Sequence, residues 1–228
     1  MSRSGLDLNL IICVPNNGMW LEPFAMNLIH LVLGLQRPIP GVRSIQADIY
    51  SPKGSILNRS RQRSIERAVK QEATHLLFID SDQTFPADTF QRLFKWQKKV
   101  VAANIATKSE PSYPTARGFQ REPVYTKQGQ KGLEKVWRIG TGVMLLDMSI
   151  FHGLDPWPQP LFDTKWNPEL NDYQGEDWGF CEWLERRNIP LYVDHGLSWE
   201  IGHIGPLVYG HDLVHEELVN EARNRRSA

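Results

Sequence analysis

Two acids one residue apart, Asp80 and Asp82, stand directly behind the apolar run Leu76, Leu77, Phe78 and Ile79. A run of this kind reads as a strand covered on both faces. In open α/β sheets, ligands gather beyond the carboxyl ends of such strands. Side chains two apart fall on the same side of an extended chain, so both carboxylates can converge on one hard cation and the phosphates it carries. Twelve Asp in 228 residues produce an Asp-x-Asp triplet by chance about 0.6 times per chain. The triplet therefore matters through its position, at a strand end and ahead of Phe85, Pro86 and a new helix.

Other chemistry-bearing residues also stand at element ends. The apolar run 8–14 meets Pro15, Asn16, Asn17 and Gly18, turn-forming residues that make a first candidate ligand loop. Gly140, Thr141 and Gly142 interrupt the apolar segment 137–147, where missing side chains let a ligand or another backbone approach closely. Glu176 and Asp177 open a helix, whose positive end favours negative charge. Arg59, Arg63 and Arg67 fall at i, i+4 and i+8 on a helix over 55–71. Arginine suits diphosphate recognition, although a solvated basic face has the same spacing. Trp157, Trp166, Tyr173 and Trp178 offer a platform for a sugar or a nucleobase, or simply pack. His211 and His215 are four apart, a spacing that suits a metal, but they read better as solvent-facing.

The elements that must position these groups alternate between strand and helix. Phe24, Leu28, Leu31, Val32 and Leu35 recur at helical spacing, and Gly34, Pro38 and Pro40 stop that helix. A strand follows over 42–50, and the helix over 55–71 turns Leu57, Ile65, Ala68 and Val69 inward. Pro86 can start a helix with Phe90, Leu93 and Phe94 as its core face, and 100–105 is the next strand. Residues 107–131 read as a loop or weak hairpin, 156–171 as an aromatic loop and 190–194 as a last strand. The order predicts a single α/β domain over 1–206 with a helical basic tail over 207–228.

Composition sets further bounds. Hydrophobic residues make up 41% and aromatics 10%, which excludes disorder for most of the chain. Lys and Arg number 26, as do Asp and Glu, so no overall field draws in a polyanion and any nucleic-acid contact must be local. Cys13 and Cys181 lie in apolar surroundings, which argues against a disulfide framework. The N-terminus lacks the apolar length of a signal peptide, and the apolar stretch 28–35 is too short to span a bilayer. The expectation is a reduced, soluble, cytoplasmic protein without a membrane anchor.

The ordered set VPNNG, NRSRQRSIERA, FIDSD, GTGVMLL, GEDWGFCEWLERRNIPLYVD and GHIG, over about residues 8–206, resembles the GT-A glycosyltransferases. The likeness is to the small family-2-like enzymes of bacteria and phages. It implies a Rossmann-like, mixed but mostly parallel central sheet flanked by helices. It also implies transfer of a sugar from a nucleotide-diphosphate sugar, a UDP-sugar being favoured, to an acceptor hydroxyl with inversion. Asp80 then lies near the nucleoside, and Asp82 coordinates a divalent metal, Mn2+ or Mg2+, whose site His203 completes. Asp177 matches the catalytic base, with Glu176 beside it. Pro15, Asn16, Asn17, Arg59, Arg63, Ser81, Gly140, Thr141 and Gly142 join Asp80 around the donor, and Trp166, Tyr173 and Trp178 face the acceptor. In such a transfer one carboxylate takes the proton of the attacking hydroxyl, while the metal neutralises the departing diphosphate.

For the acceptor, a hydroxymethylated base in phage DNA is suggested by the local clusters Lys95, Lys98, Lys99 and Arg223, Arg225, Arg226. A protein or saccharide acceptor is the alternative. Two other classes stay open. The segment from Asp80 to Thr84 also fits the DxDxT signature of haloacid-dehalogenase-like phosphohydrolases, in which the first Asp is a nucleophile, although no GDxxxD follows. A catalytically inactive nucleotide-sugar-binding module is the third, and the presence of both Asp177 and His203 argues against it.

Overall fold

The computed structural model describes residues 5–154, 160–168 and 171–226. In chain order β1 (Leu6–Cys13) leads to α1 (Glu22–Gly34), β2 (Val42–Tyr50) to α2 (Leu57–Lys70), and β3 (His75–Ile79) to β4 (Gln83–Thr84) and α3 (Thr89–Phe94). Next come β5 (Val100–Ala102), β6 (Leu133–Val136), β7 (Val143–Asp147), β8 (Lys165–Asn167) and β9 (Asp172–Gln174). The rest is α4 (Glu176–Arg186), β10 (Leu191–Asp194), α5 (His195–Ser198), β11 (Gly202–Ile204), β12 (Val208–Tyr209) and α6 (Glu216–Arg226). Trp157 and Pro158 of the expected aromatic loop lie outside the described residues.

Seven strands form the central sheet in the order β2-β1-β3-β7-β5-β10-β6. β2, β1, β3, β5 and β10 run one way, while β7 and the edge strand β6 run against them. The sheet is thus mixed and mostly parallel, with helices on both faces, as the sequence predicts. β6 carries no apolar signature because its middle residues, Glu134 and Lys135, are exposed at the sheet edge.

The apolar run of β3 is explained by burial on both sides. Leu76 and Phe78 share one core cluster with Ile65 and Ala68 of α2 and with Phe180 and Leu184 of α4. Leu77 and Ile79 share the other with Phe24, Leu28 and Leu31 of α1 and with Phe90 and Leu93 of α3. Consequently α2 and α4 lie on the same face of the sheet. Cys13 and Cys181 are free thiols in this core, and burial pushes each up to about 12.

Aromatic rings link α4 to β3. Phe78 meets Phe162 edge-on at 6.0 Å, Phe162 stacks on Phe180 at 4.8 Å, and Phe180 stacks on Trp183 at 5.9 Å. Such contacts each add about 0.5–1.5 kcal/mol beyond area burial. Phe78 stands two residues before Asp80 and Phe180 three after Asp177, so the rings fix the spacing of the two acidic segments.

The segment after 206 is stitched to the sheet side of the molecule. β11 pairs with β4 and with β12, and Val219 of α6 is fully buried. His211, expected to face solvent, is instead buried with its Nε2 2.8 Å from the Asn104 carbonyl oxygen, whereas His215 is exposed. Among the described residues no helix is long and apolar enough to cross a membrane.

One glycine controls how closely α4 is approached. A Cβ on Gly179 would lie 2.6 Å from the Asp163 carbonyl oxygen and 2.8 Å from its nitrogen. Gly179→Val is expected to push Phe162 off Phe180 and to destabilise by about 1–3 kcal/mol. Each kcal/mol lowers Tm by about 2–4 °C in a domain of this size. Thermal unfolding followed by near-UV circular dichroism reads both effects, and an unchanged midpoint would show that the contact bears no load.

Candidate active site

A buried guanidinium organises the acids. Arg61 is 2% exposed, and its Nη2 donates to Asp80 Oδ2 at 2.9 Å and to Oδ1 at 3.1 Å. Its Nη1 donates to Glu176 Oε1 at 2.6 Å and to Asp177 Oδ1. The planar fork of arginine can serve three carboxylates at once, which the single ammonium of lysine does less well.

The geometry of α2 explains why this arginine and not its neighbours enters the site. Ser60, Arg61, Ser64, Ile65 and Ala68 form the buried side of the helix. Arg61, Ile65 and Ala68 stand at i, i+4 and i+7, a single face. Arg59 and Arg63 lie about 200° around the helix from Arg61 in either direction. Both are exposed, and neither side chain enters the carboxylate cluster. Arg67 pairs with Asp48 at 3.2 Å and lies over the Tyr50 ring. The spacing of the arginine stripe thus marks the solvent side, and Leu57 and Val69, expected inward, are 39% and 40% exposed. The small residues Ser60 and Ser64 flanking Arg61 were the available signal.

Asp80 and Asp82 do not share one partner set. The strand ends at Ile79 and the chain turns, with Gln83 N donating to the Asp80 carbonyl at 3.2 Å, so the alternation expected of an extended chain stops there. Asp80 faces Arg61, whereas Asp82 Oδ2 accepts from Lys108 Nζ at 2.5 Å and lies 3.3 Å from His203 Nε2. β11 delivers His203, which pairs with Gln83 of β4, and Ile204 N donates to the Asp82 carbonyl at 2.7 Å. His203 Nδ1 is 3.0 Å from the Ala106 carbonyl oxygen. A carbonyl only accepts, so Nδ1 carries a proton and Nε2 confronts a carboxylate oxygen. Among the described residues no group of three or more His, Cys, Asp or Glu is placed to hold a metal ion. Lys108 lies in the 107–131 loop, and no sequence pattern singles it out.

Charge states follow from these contacts. Burial pushes the carboxyls of Asp80 and Glu176 up, and for Glu176 the neighbouring Asp177 adds to this. Burial also raises Asp82, but the hydrogen bonds and charges of His203 and Lys108 outweigh it and hold the group well below the usual carboxylate range. Burial alone would deprotonate Arg61 more readily, and Asp177, Asp80 and Glu176 together reverse that.

The Gly140-Thr141-Gly142 segment makes room for these acids. A Cβ on Gly142 would stand 3.1 Å from Asp80 Oδ2, and one on Gly140 would stand 3.5 Å from Asp177 Oδ2. Asp80 N donates to the Gly142 carbonyl at 2.8 Å, and the Thr141 hydroxyl donates to Asp177 Oδ1 at 2.6 Å. Of the first loop, Pro15 is buried and Asn17 exposed. Asn16 braces the loop: its Nδ2 donates to Ser51 Oγ at 2.5 Å, and its Oδ1 accepts from Gly18 N at 2.7 Å. Ser81 is half-buried between the two acids. Trp166 and Tyr173 are exposed and meet edge-on at 5.3 Å, while the half-buried Trp178 meets Trp137 at 5.9 Å.

Arg61→Met keeps an apolar stem but strands three carboxylates. Removing one partner of a buried ion pair costs about 3–5 kcal/mol. Arg61 lowers Asp80 and Glu176, so without it their pKa values rise further above unfolded values of about 4. A group raised on folding costs stability as pH rises through that range, so the deficit of the variant is expected to be larger at pH 7.5 than at pH 4.5. Thermal unfolding of both proteins at the two pH values checks this, and a deficit independent of pH would refute the charge account.

No protein-family model and no curated protein matches this sequence. Among solved structures the chain is similar to A197 from STIV, with a TM-score of 0.61 and 16% identity over 90% of this chain and 91% of that one. It is also similar to GalNAc-T7, in a structure with UDP, GalNAc and Mn2+, with a TM-score of 0.54 and 12% identity. That match covers 88% of this chain and 44% of GalNAc-T7, so this chain spans less than half of that protein. At these identities the likeness is one of fold: the mixed, mostly parallel α/β sheet of the GT-A type.

Proposed function

We propose that this protein transfers a sugar from a nucleotide-diphosphate sugar to an acceptor hydroxyl, with a divalent metal and with inversion. The observation that carries the reading is the division of the acids into two adjacent groups. Arg61 holds Asp80, Glu176 and Asp177, while Asp82 faces His203 and Lys108. The fold shared with GalNAc-T7, whose structure contains UDP and Mn2+, supports a UDP-sugar and Mn2+ or Mg2+.

Asp82 and His203 are the residues that would hold the metal, and when bound it would neutralise charge on the departing diphosphate. Lys108 keeps Asp82 ionised and places a second positive charge on that side. Asp177 Oδ1 is occupied by Arg61 and Thr141, which leaves Oδ2, beside the side-chain-free Gly140, to accept a proton. In the transfer, the acceptor oxygen bonds to the anomeric carbon as the bond from that carbon to the diphosphate breaks. The electron pair leaves with the diphosphate, and the hydroxyl proton passes to Asp177. Glu176 shares the Arg61 charge with Asp177 and limits its rotation. Both oxygens of Asp80 are engaged by Arg61, which disfavours Asp80 as a phosphatase nucleophile.

Thermal unfolding with UDP, with and without Mn2+, tests donor and metal together. At one hundred times Kd a ligand stabilises by about 2.7 kcal/mol, a shift on the order of 5–11 °C here. The shift is expected only with Mn2+ and is expected to vanish in Asp82→Asn. Asp177→Asn is expected to keep the shift and lose turnover by about 10²–10⁴-fold. A UDP response that ignores both Mn2+ and Asp82→Asn would remove the metal assignment, and undiminished turnover in Asp177→Asn would remove the base.

A further inference from the structure

The first helix, α1, leaves an apolar side uncovered. Its inner side is fixed in place: Phe24, Leu28 and Leu31 are buried, Asn27 Oδ1 accepts from Phe85 N at 3.1 Å, and the Gly34 carbonyl accepts from Gln91 Nε2 at 2.9 Å. The opposite side carries Met26, Ile29 and Leu33, which are 42%, 52% and 63% exposed. With the exposed Glu22 and His30 they fall within an arc of about 100°. Met19, Trp20 and Leu21 are exposed too and continue the apolar surface at the start of the helix, where the Trp20 ring is held edge-on to Phe24 at 5.6 Å.

A surface helix normally turns its apolar stripe inward and polar residues outward. The exposed sides of α2 and α4 obey this and carry Arg59, Arg63, Glu185 and Arg186. α1 is instead apolar on both sides. Its six exposed apolar residues, Met19 to Leu33, present on the order of 600 Å², taking about 150–250 Å² for a large side chain. That is the upper end of what the largest patch on a monomer offers. Two such faces brought together bury on the order of 1,200 Å², the lower bound for a specific interface.

The order of residues along α1 selects the occupant. A two-fold interface must be self-complementary, because a contact of residue i with residue j implies the contact of j with i. Met26 and Leu33 are equidistant from the midpoint between residues 29 and 30, and so are Ile29 and His30, and so are Glu22 and Arg37. Arg37 continues the turn that ends the helix, its N donating to the Gly34 carbonyl at 3.1 Å. Two α1 helices crossing antiparallel about that midpoint therefore set apolar residues against apolar ones in the middle and an acid against a base at each end. Neither Glu22 nor Arg37 meets an opposite charge among the described residues. A membrane surface is the other cover an apolar helix face fits, but interfacial helices carry Lys and Arg along their polar side, and α1 has neither.

We propose that α1 is a self-association surface, on which a second copy of this chain docks antiparallel about a two-fold axis beside Ile29 and His30, with Glu22 and Arg37 paired at both ends. The proposal does not depend on the transferase reading.

Sedimentation velocity of the full chain over about 1–100 µM tests it, a range suited to an interface this small. The wild type is expected to move from one chain mass, 26.2 kDa, towards twice that mass. Ile29→Glu and Leu33→Glu are expected to stay at one chain mass throughout, and because both side chains are exposed the variants should keep the near-UV circular dichroism of the wild type. Arg37→Glu and Glu22→Arg are each expected to weaken association by about ten-fold, since an exposed ion pair is worth about two- to five-fold and symmetry repeats it. The variant carrying both reversals is expected to recover most of that loss. A wild type that remains at one chain mass at the highest concentration overturns the proposal, and so does association that persists in both Ile29→Glu and Leu33→Glu. A double reversal no stronger than either single one overturns the antiparallel pairing. Flotation of the wild type with phosphatidylserine vesicles, lost in Ile29→Glu and without self-association, would assign the face to a membrane instead.

Discussion

Three carboxylates from two distant segments meet at one guanidinium, and the arrangement of the site depends on that encounter. Like charges about 4 Å apart repel by about 4 kcal/mol at an effective dielectric near 20, so Asp80, Glu176 and Asp177 cannot gather without a cation among them. Arg61 supplies that cation and contacts all three. Buried ionic networks of this kind seldom increase stability over well-packed apolar residues. Their value here is positional: the fork fixes which oxygen of each acid is occupied and which is left for chemistry.

That encounter is possible because α2 and α4 pack on the same face of the sheet. The first turns of α2 stand over the end of β3, where Asp80 leaves the strand, and α4 begins with its two acids at the same place. The rings of Phe78, Phe162 and Phe180 then act as a spacer between β3 and α4. Core packing and site geometry are one construction, since moving Phe180 also moves Asp177.

The turn after β3 divides the work of the acids. Asp80 points back under α2, and Asp82 points outward to His203 and Lys108, brought from β11 and from the long loop after β5. The C-terminal helix contributes as well, since Arg223 lines a cavity together with Trp178, Arg117 and Arg138.

Much of this architecture is local and was legible in the residues. The continuous apolar run 76–79 shows a strand buried on both faces, and the periodicity of Phe24, Leu28 and Leu31 shows a helix, because burial on a regular element repeats with the period of that element. The position of Asp80 and Asp82 at a strand end, and of Glu176 and Asp177 at a helix start, follows from the same patterns. The rotation of α2 about its axis does not. Arg59 and Arg63 have the more conspicuous spacing, yet Arg61 is the residue that packing against Ile65 and Ala68 turns inward. Lys108 stands in a segment without periodicity, and only tertiary folding, with the long-range pairing of β11 to β4 that delivers His203, brings such groups to Asp82. The sequence by itself determined the elements and the ends at which chemistry collects. Tertiary structure decided which charges meet, because pairing between segments a hundred residues apart is set by the packing of whole faces and leaves no local period to read.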